Sequence, residues 1–137
     1  LSGESLLQAQ RRCCSVPFVP PSTTLRPRLR QLAAERGLAI VQGNRMAHLL
    51  GAGVSKGRAL KVLKQRLGVA QVRVLGLGDS PNDLPLLEAA DVAVVVPGPE
   101  GPHPALLEGV QSGRFQLAAF PHAQGWADAV QRNILDV

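Results

Sequence analysis

Aromatic residues make up only 3% of this 137-residue sequence, so its core must come from Leu, Val and Ala rather than large rings. The hydrophobic share of 45% is ordinary for a globular chain and permits such a core. Cysteine is scarce too: there are two, adjacent at Cys13 and Cys14. Neighbours in a strand point to opposite faces, which argues against a structural disulfide between them and for a reducing, cytoplasmic setting. No apolar run approaches the ~20 residues that a membrane-spanning helix requires. The opening "LSGESLLQAQRR" has neither a basic n-region nor a long apolar stretch, so it does not read as a targeting signal. It begins with Leu rather than Met, and we expect the native chain to start upstream. Internal repeats and low-complexity tracts are also missing. The length suits one domain or a piece of a larger protein.

Acidic residues are nearly absent from the first half. Residues 1–75 hold 13 Lys/Arg against two Asp/Glu, a net of +11, while residues 76–137 hold two against eight, a net of −6. A positive half beside a negative half with a carboxylate cluster suits an anionic ligand and a metal ion. The arginines lack the interleaved aromatics that single-strand nucleic-acid binders stack on, so a nucleic-acid partner ranks well below.

Residues 3–12 have helix-forming composition, and "CCSVPFVPPS" reads as a short strand ending in a Pro-rich turn. In "TTLRPRLRQLAAERG", Leu25, Leu29, Leu32 and Ala33 recur at helical spacing, with Gly37 as the stop. "LAIVQGNRMAHLLG" reads as two strands around Gly43-Asn44, a hairpin pair. "SKGRALKVLKQRLG" is a second amphipathic helix, capped by Ser55, striped by Leu60, Leu63 and Leu67, and ended by Gly68. "VRVLGLG" is a nearly continuous apolar strand of the kind buried in parallel sheets. A helix over Pro81–Ala90 and a second apolar strand, "DVAVVV", complete a βαβ unit. "PGPEGPHP" is a loop, 104–120 holds a short helix and a strand around Phe115–Ala119, and "GWADAVQRNIL" closes as a helix.

The chemistry concentrates in "GLGDSPNDLPLL". Ligands of open α/β sheets bind at the carboxyl ends of strands, which is where Asp79 falls. Magnesium takes one or two protein carboxylates with water and phosphate oxygens, and Asp79 suits that role. The plainer explanation for Ser80, Pro81 and Asp83 is a capping box, with Ser80 at the N-cap and Asp83 at the third position. The Asn82 amide lies at a helix N-terminus, where an anion is favoured. Lys56, at the start of a helix, opposes the macrodipole, and a broken local rule invites a functional explanation: neutralising a phosphate. The ordinary alternative is a solvated surface lysine among Arg58, Lys61 and Lys64.

In combination, "GVSKGRAL" followed by a strand and "GLGDSPNDLPLL" resembles the third and fourth motifs of the haloacid dehalogenase superfamily of phosphatases. More closely, the chain is similar to mannosyl-3-phosphoglycerate phosphatases and their glucosyl counterparts. "RRCCSVPFV" resembles that family's Arg-x-x-Ser-Glu-Pro-Phe segment, and "GNRMAHLLG" its Gly-Arg-Phe-x-His-Leu segment. "VPGPEGPHPALL" and "GWADAV" match as well, so the resemblance runs over nearly the whole chain. It implies an α/β fold: a Rossmann-like core with parallel strands, and an α+β cap covering the active site. Residues 1–50 would be the end of the cap and 51–137 the second half of the core. It further implies Mg²⁺ held by Asp79, phosphate bound by Lys56, and Asp83 supporting the metal site without ligating it. Ser80 and Asn82 would line the substrate side. Arg12, Arg45 and His48 would face the sugar and glycerate groups of a small phosphorylated substrate, with neither nucleic acid nor membrane as partner. Ordinary alternatives are solvated arginines at 12 and 45 and a partly buried strand histidine at 48.

Three departures matter. The family's Asp-x-Asp nucleophile motif is missing, no strand ending in its phosphate-binding Ser or Thr is identifiable, and Val16 stands where the cap segment has Glu. The chain therefore reads as the C-terminal part of a phosphatase, inactive alone and expecting the N-terminal remainder of the same protein. Alternatives are another sugar phosphatase of the superfamily, a stand-alone pseudoenzyme, or a non-catalytic basic binding module.

Overall fold

The computed structural model describes residues 14–22, 26–43, 45–68 and 71–135. The chain divides into two compact units, one ending at Val54 and the other beginning at Ser55. In the first unit, β1 (Ser15–Phe18) and β2 (Leu38–Gln42) flank β3 (Ala47–Gly51) in an antiparallel sheet of order β1-β3-β2. The β2–β3 hairpin is closed by the Gly43 N–H on the Met46 carbonyl at 2.9 Å, and Asn44 lies outside the described residues. Helix α1 (Arg26–Ala34) packs beside β2, with Ala33 its buried residue. The expected helix over residues 3–12 and residues 23–25, where the sequence leads one to expect the second helix to begin, lie outside the described residues.

The second unit opens with α2 (Lys56–Leu67), whose limits follow from its ends. The Ser55 hydroxyl accepts from the Arg58 N–H at 3.1 Å, and Gly68 adopts φ +64° to turn the chain away. Its apolar stripe is a correction: Leu63 is 52% and Leu67 63% exposed, and only Leu60 is partly covered. Periodicity reports that a helix has an apolar face, but covering it requires a neighbour.

Next come β4 (Leu75–Gly78), a 3₁₀ turn at Pro81–Asp83, α3 (Leu84–Ala89) and β5 (Val92–Val95). The chain continues through α4 (Pro104–Gln111), β6 (Gln116–Leu117) and α5 (His122–Val130), with a π turn over Gln131–Leu135. Strands β4, β5 and β6 form a parallel sheet in that order, Leu75 opposite Val92 and Val94 opposite Gln116. Strand β4 is shorter than the apolar run that announces it. The Val74 N–H goes to the Asp91 carboxylate at 2.7 Å, and the Val74 carbonyl takes the Asp91 and Val92 N–H groups, which is where the pairing of β4 with β5 begins. The expected single helix at 81–90 likewise breaks into a 3₁₀ turn and a short α-helix.

Alternation along β5 divides the core. Ala93 and Val95 pack with Leu87 of α3, Leu106 of α4 and Phe115 on one face. Val94 and Val96 pack with Ala118 and Ala129 of α5 on the other, joined by Leu75, Leu77 and Val92. A parallel sheet covered by helices on both faces buries its strands from two sides, which is why β5 is apolar at every position. Among the described residues no helix is long and apolar enough to cross a membrane.

Candidate active site

The carboxyl end of β4 delivers the chain into a tight knot. Asp79 follows Gly78 at the sheet rim with its residue exposed, and Ser80 and Asp83 are buried at 4% exposure each. The Asp83 Oδ2 accepts from the Asp79 N–H at 3.1 Å, the Ser80 N–H at 3.2 Å and the Ser80 hydroxyl at 3.1 Å. The return bond from Asp83 to the Ser80 N–H is the capping-box arrangement that the spacing announces. Asp83 Oδ1 forms an ion pair with Lys56 Nζ, at the first position of α2. Burial pushes the Asp83 carboxyl up. The Lys56 hydrogen bond, the Asp79 N–H, the Lys56 charge and the Ser80 hydroxyl outweigh it and hold the group below its ordinary 3.8.

Two missing side chains make this approach possible. A Cβ on Gly57 would lie 2.0 Å from the Pro85 carbonyl oxygen, so only glycine lets the start of α2 close on the start of α3. A Cβ on Gly78 would lie 2.4 Å from the Asp83 Cβ, so the glycine of β4 makes room for the carboxylate beneath the loop. With a counter-ion at Asp83, Lys56 at a helix N-terminus is no longer anomalous.

Lys56 remains 53% exposed along its side chain, and an ammonium has three donors, of which Asp83 takes one. The rest of Lys56 and the Asp79 rim border a cleft of about 430 Å³ walled by Leu77, Gly78, Val96, His122, Ala123 and Trp126. The geometry can therefore present an ammonium and a carboxylate to one anionic ligand, with Asp83 fixing both from below.

Of the residues anticipated from sequence, Lys56, Asp79, Ser80, Asn82 and Asp83 converge here. Ser80 and Asn82 do not form cleft walls. The Ser80 hydroxyl has one proton to share between Asn82 Oδ1 and Asp83 Oδ2, so the Ser80 side chain is turned inward to the loop, and Asn82 beside it is half-buried. Arg45 and His48 belong to the other unit, Arg45 exposed in the hairpin turn and His48 half-buried in β3 opposite Pro17 and Val41. Arg12 lies outside the described residues. His122 and Trp126 were not anticipated. His122 has φ +53°, a left-handed conformation that nothing in "FPHAQG" announces; the available signal was that Trp126 is the sole tryptophan. Among the described residues, no three His, Cys, Asp or Glu side chains converge as a metal cage.

Residues 22–97, more than half the chain, match the family of haloacid dehalogenase-like hydrolases. The glucosyl-3-phosphoglycerate/mannosyl-3-phosphoglycerate phosphatase of Persephonella marina is 29% identical over 133 residues, covering 94% of this chain and 48% of that protein. A crystal structure from Thermoplasma acidophilum superposes with a TM-score of 0.72 at 18% identity, over 90% of this chain and 51% of that one. The sucrose-phosphatase of Synechocystis, solved with sucrose and phosphate, gives 0.69 at 22% identity, over 90% and 53%. At such identities the structural likeness speaks to the fold: an α/β arrangement with a parallel sheet. The chain spans about half the length of the relatives it matches. By its match over residues 22–97, the chain belongs to the haloacid dehalogenase-like hydrolases.

Proposed function

We propose that the unit beginning at Ser55 is one half of the active site of a phosphoric monoester hydrolase. Its substrate would be a phosphorylated sugar-glycerate of the mannosyl-3-phosphoglycerate type. The observation that carries this reading is that Lys56 and Asp79 line one cleft at the rim of a parallel sheet. The named activity of the Persephonella marina relative supplies the substrate class. On this reading the first unit is the end of a cap.

The donor chemistry fits Mg²⁺. One exposed carboxylate, Asp79, is what an ion that keeps several waters and a phosphate oxygen requires, whereas Asp83 is already engaged by Lys56 and the Ser80 loop. When bound, the ion would offset charge on the phosphoryl oxygens. Lys56 would place its remaining N–H donors on those oxygens, and Asp83 would keep both Lys56 and the Asp79 backbone in position. The attacking carboxylate has to come from polypeptide outside these residues, because the sequence contains no Asp-x-Asp pair. Its oxygen would form a bond to phosphorus as the bond from phosphorus to the glycerate 3-oxygen breaks, that oxygen leaving as the protonated alcohol, and water would then release phosphate from the aspartyl phosphate and restore the carboxylate.

The test is phosphate release from mannosyl-3-phosphoglycerate and from a panel of other sugar phosphates. We expect none from the 137-residue chain alone. Mg²⁺-dependent release is expected once it is joined to a segment carrying the nucleophile, and loss of that release in Asp79→Ala. Turnover by the chain alone, or undiminished turnover in Asp79→Ala, overturns the assignment.

A further inference from the structure

Two histidines stand where helices begin, and they behave differently. His103 precedes α4 and caps it, its Nδ1 accepting from the Ala105 N–H at 3.1 Å. His122 opens α5 and has no such duty: Pro121 is the N-cap, and among the described residues the His122 imidazole has no hydrogen-bond partner. Its backbone is nonetheless in the left-handed region at φ +53°, the sole non-glycine residue there among the described ones, with its N–H on the Pro97 carbonyl at 3.1 Å. A turn that needed only this shape would be served better by glycine, which adopts it without strain. The strained residue borders the cleft that Lys56 and Asp79 line. Four residues around that cleft carry titratable side chains: Lys56, Asp79, Asp83 and His122. Asp83 is engaged beneath the loop, and on the hydrolase reading Lys56 and Asp79 serve the phosphoryl group. His122 is left over.

We propose that His122 is a specificity-determining residue, whose imidazole N–H donates to the carboxylate of the substrate's glycerate group. The cleft then favours phosphomonoesters that carry an acid close to the phosphate over those that carry a neutral alcohol there. The proposal rests on the hydrolase reading, which supplies both the phosphate at Lys56 and Asp79 and the second anionic group of the substrate. An imidazole keeps at least one N–H in either protonation state, so the contact needs no change of charge at His122. A hydrogen bond to an ionised acceptor is among the stronger kinds, and in a cleft of about 430 Å³ the phosphate and the carboxylate can be held together. The bond from the His122 N–H to Pro97, which follows the β5 strand end, ties the imidazole to the rim of the same sheet that carries Asp79.

Trp126, the sole tryptophan, borders the same cleft and reports on its occupancy. The experiment titrates the 137-residue chain, in the presence of Mg²⁺, with 3-phosphoglycerate and with glycerol 3-phosphate. The second ligand has the same phosphate and hydroxyl but an alcohol in place of the carboxylate. The readouts are tryptophan emission and calorimetry. We expect 3-phosphoglycerate to bind about tenfold tighter, the usual worth of one hydrogen bond to a charged group. His122→Gly accepts the left-handed backbone without the side chain, and should cut that preference to about twofold or less. His122→Asn, which tolerates the same backbone and restores a donor, should recover part of it. Gln124→Ala, exposed on the same turn and outside the cleft, should keep the preference. Circular dichroism checks that each variant is folded. Equal affinity of the wild type for the two ligands, or binding of neither by both methods, overturns the proposal. So does a preference that survives His122→Gly. A His122-dependent preference that is indifferent to Lys56→Ala and Asp79→Ala counts against the hydrolase reading alone. Phosphate release by the chain joined to its nucleophile segment, without any His122-dependent preference, counts against this contact alone.

Discussion

Removal of the Asp83 carboxylate is the sharpest perturbation of this site. In Asp83→Ala the Ser80 N–H loses its acceptor inside a residue only 4% exposed, where water cannot replace it, while the Ser80 hydroxyl keeps Asn82 Oδ1. A buried donor left without a partner costs about 1–3 kcal/mol, so the Ser80 N–H sets a loss of about 1–3 kcal/mol. The Asp79 N–H and Lys56 add little, because Asp79 is an exposed residue and the Lys56 side chain is 53% exposed, so both regain solvent. Asp83→Asn preserves one acceptor oxygen for the loop and should cost about half as much. The assay is equilibrium unfolding in urea followed by Trp126 emission, which reports on the unit that starts at Ser55. For a unit of this size the Ala variant should also melt about 5–25 °C lower, at about 4–8 °C per kcal/mol. A change below about 0.5 kcal/mol in Asp83→Ala, or equal losses in the two variants, would refute the view of Asp83 as an acceptor hub.

Three other outcomes follow from the same geometry. The Asp83 carboxyl titrates below its unfolded value of 3.8, so its stabilisation is complete above the unfolded value and fades as the pH falls through and below it. Urea midpoints between pH 6 and about 2.5 should show an acid-side slope in the wild type that is smaller in Asp83→Asn. Gly57→Ala forces a methyl onto the Pro85 carbonyl; a loss of about 2 kcal/mol or more is expected, and a wild-type urea midpoint would show that α2 can slide aside freely. Leu106, fully buried among Leu87, Val95 and Phe115, should cost about 2–5 kcal/mol when cut to Ala, read as a fall in urea midpoint without a change of slope.

Much of this was readable from residue types that act locally. Ser55 and Gly68 bracket α2 because a hydroxyl and a left-handed glycine work wherever a helix begins or ends. The alternation of β5 between two cores is visible in "DVAVVV", and "GDSPND" announces both its turn and its carboxylates. What escaped depends on distant partners. The exposure of Leu63 and Leu67 reflects which element lies opposite α2, and that is not written in α2 itself. The apolar run begins at Val72, but pairing with β5 begins only at Leu75, with the Val74 N–H held by the Asp91 carboxylate. The two aspartates of the motif look equivalent in the sequence. Only the fold shows one exposed at the rim and the other buried on Lys56. His122 and Trp126 border the cleft, and the positive φ of His122 is marked by no periodicity in the sequence.

The contact between positions 78 and 83 ties the electrostatics of the whole motif to a residue with nothing to ionise. Any branch at 78 would evict the carboxylate opposite it, release the lysine of a helix far away in sequence, and slacken the loop that aims Asp79. Variation at these two sites should therefore be correlated rather than independent, with glycine acting as the mould into which an acid is cast.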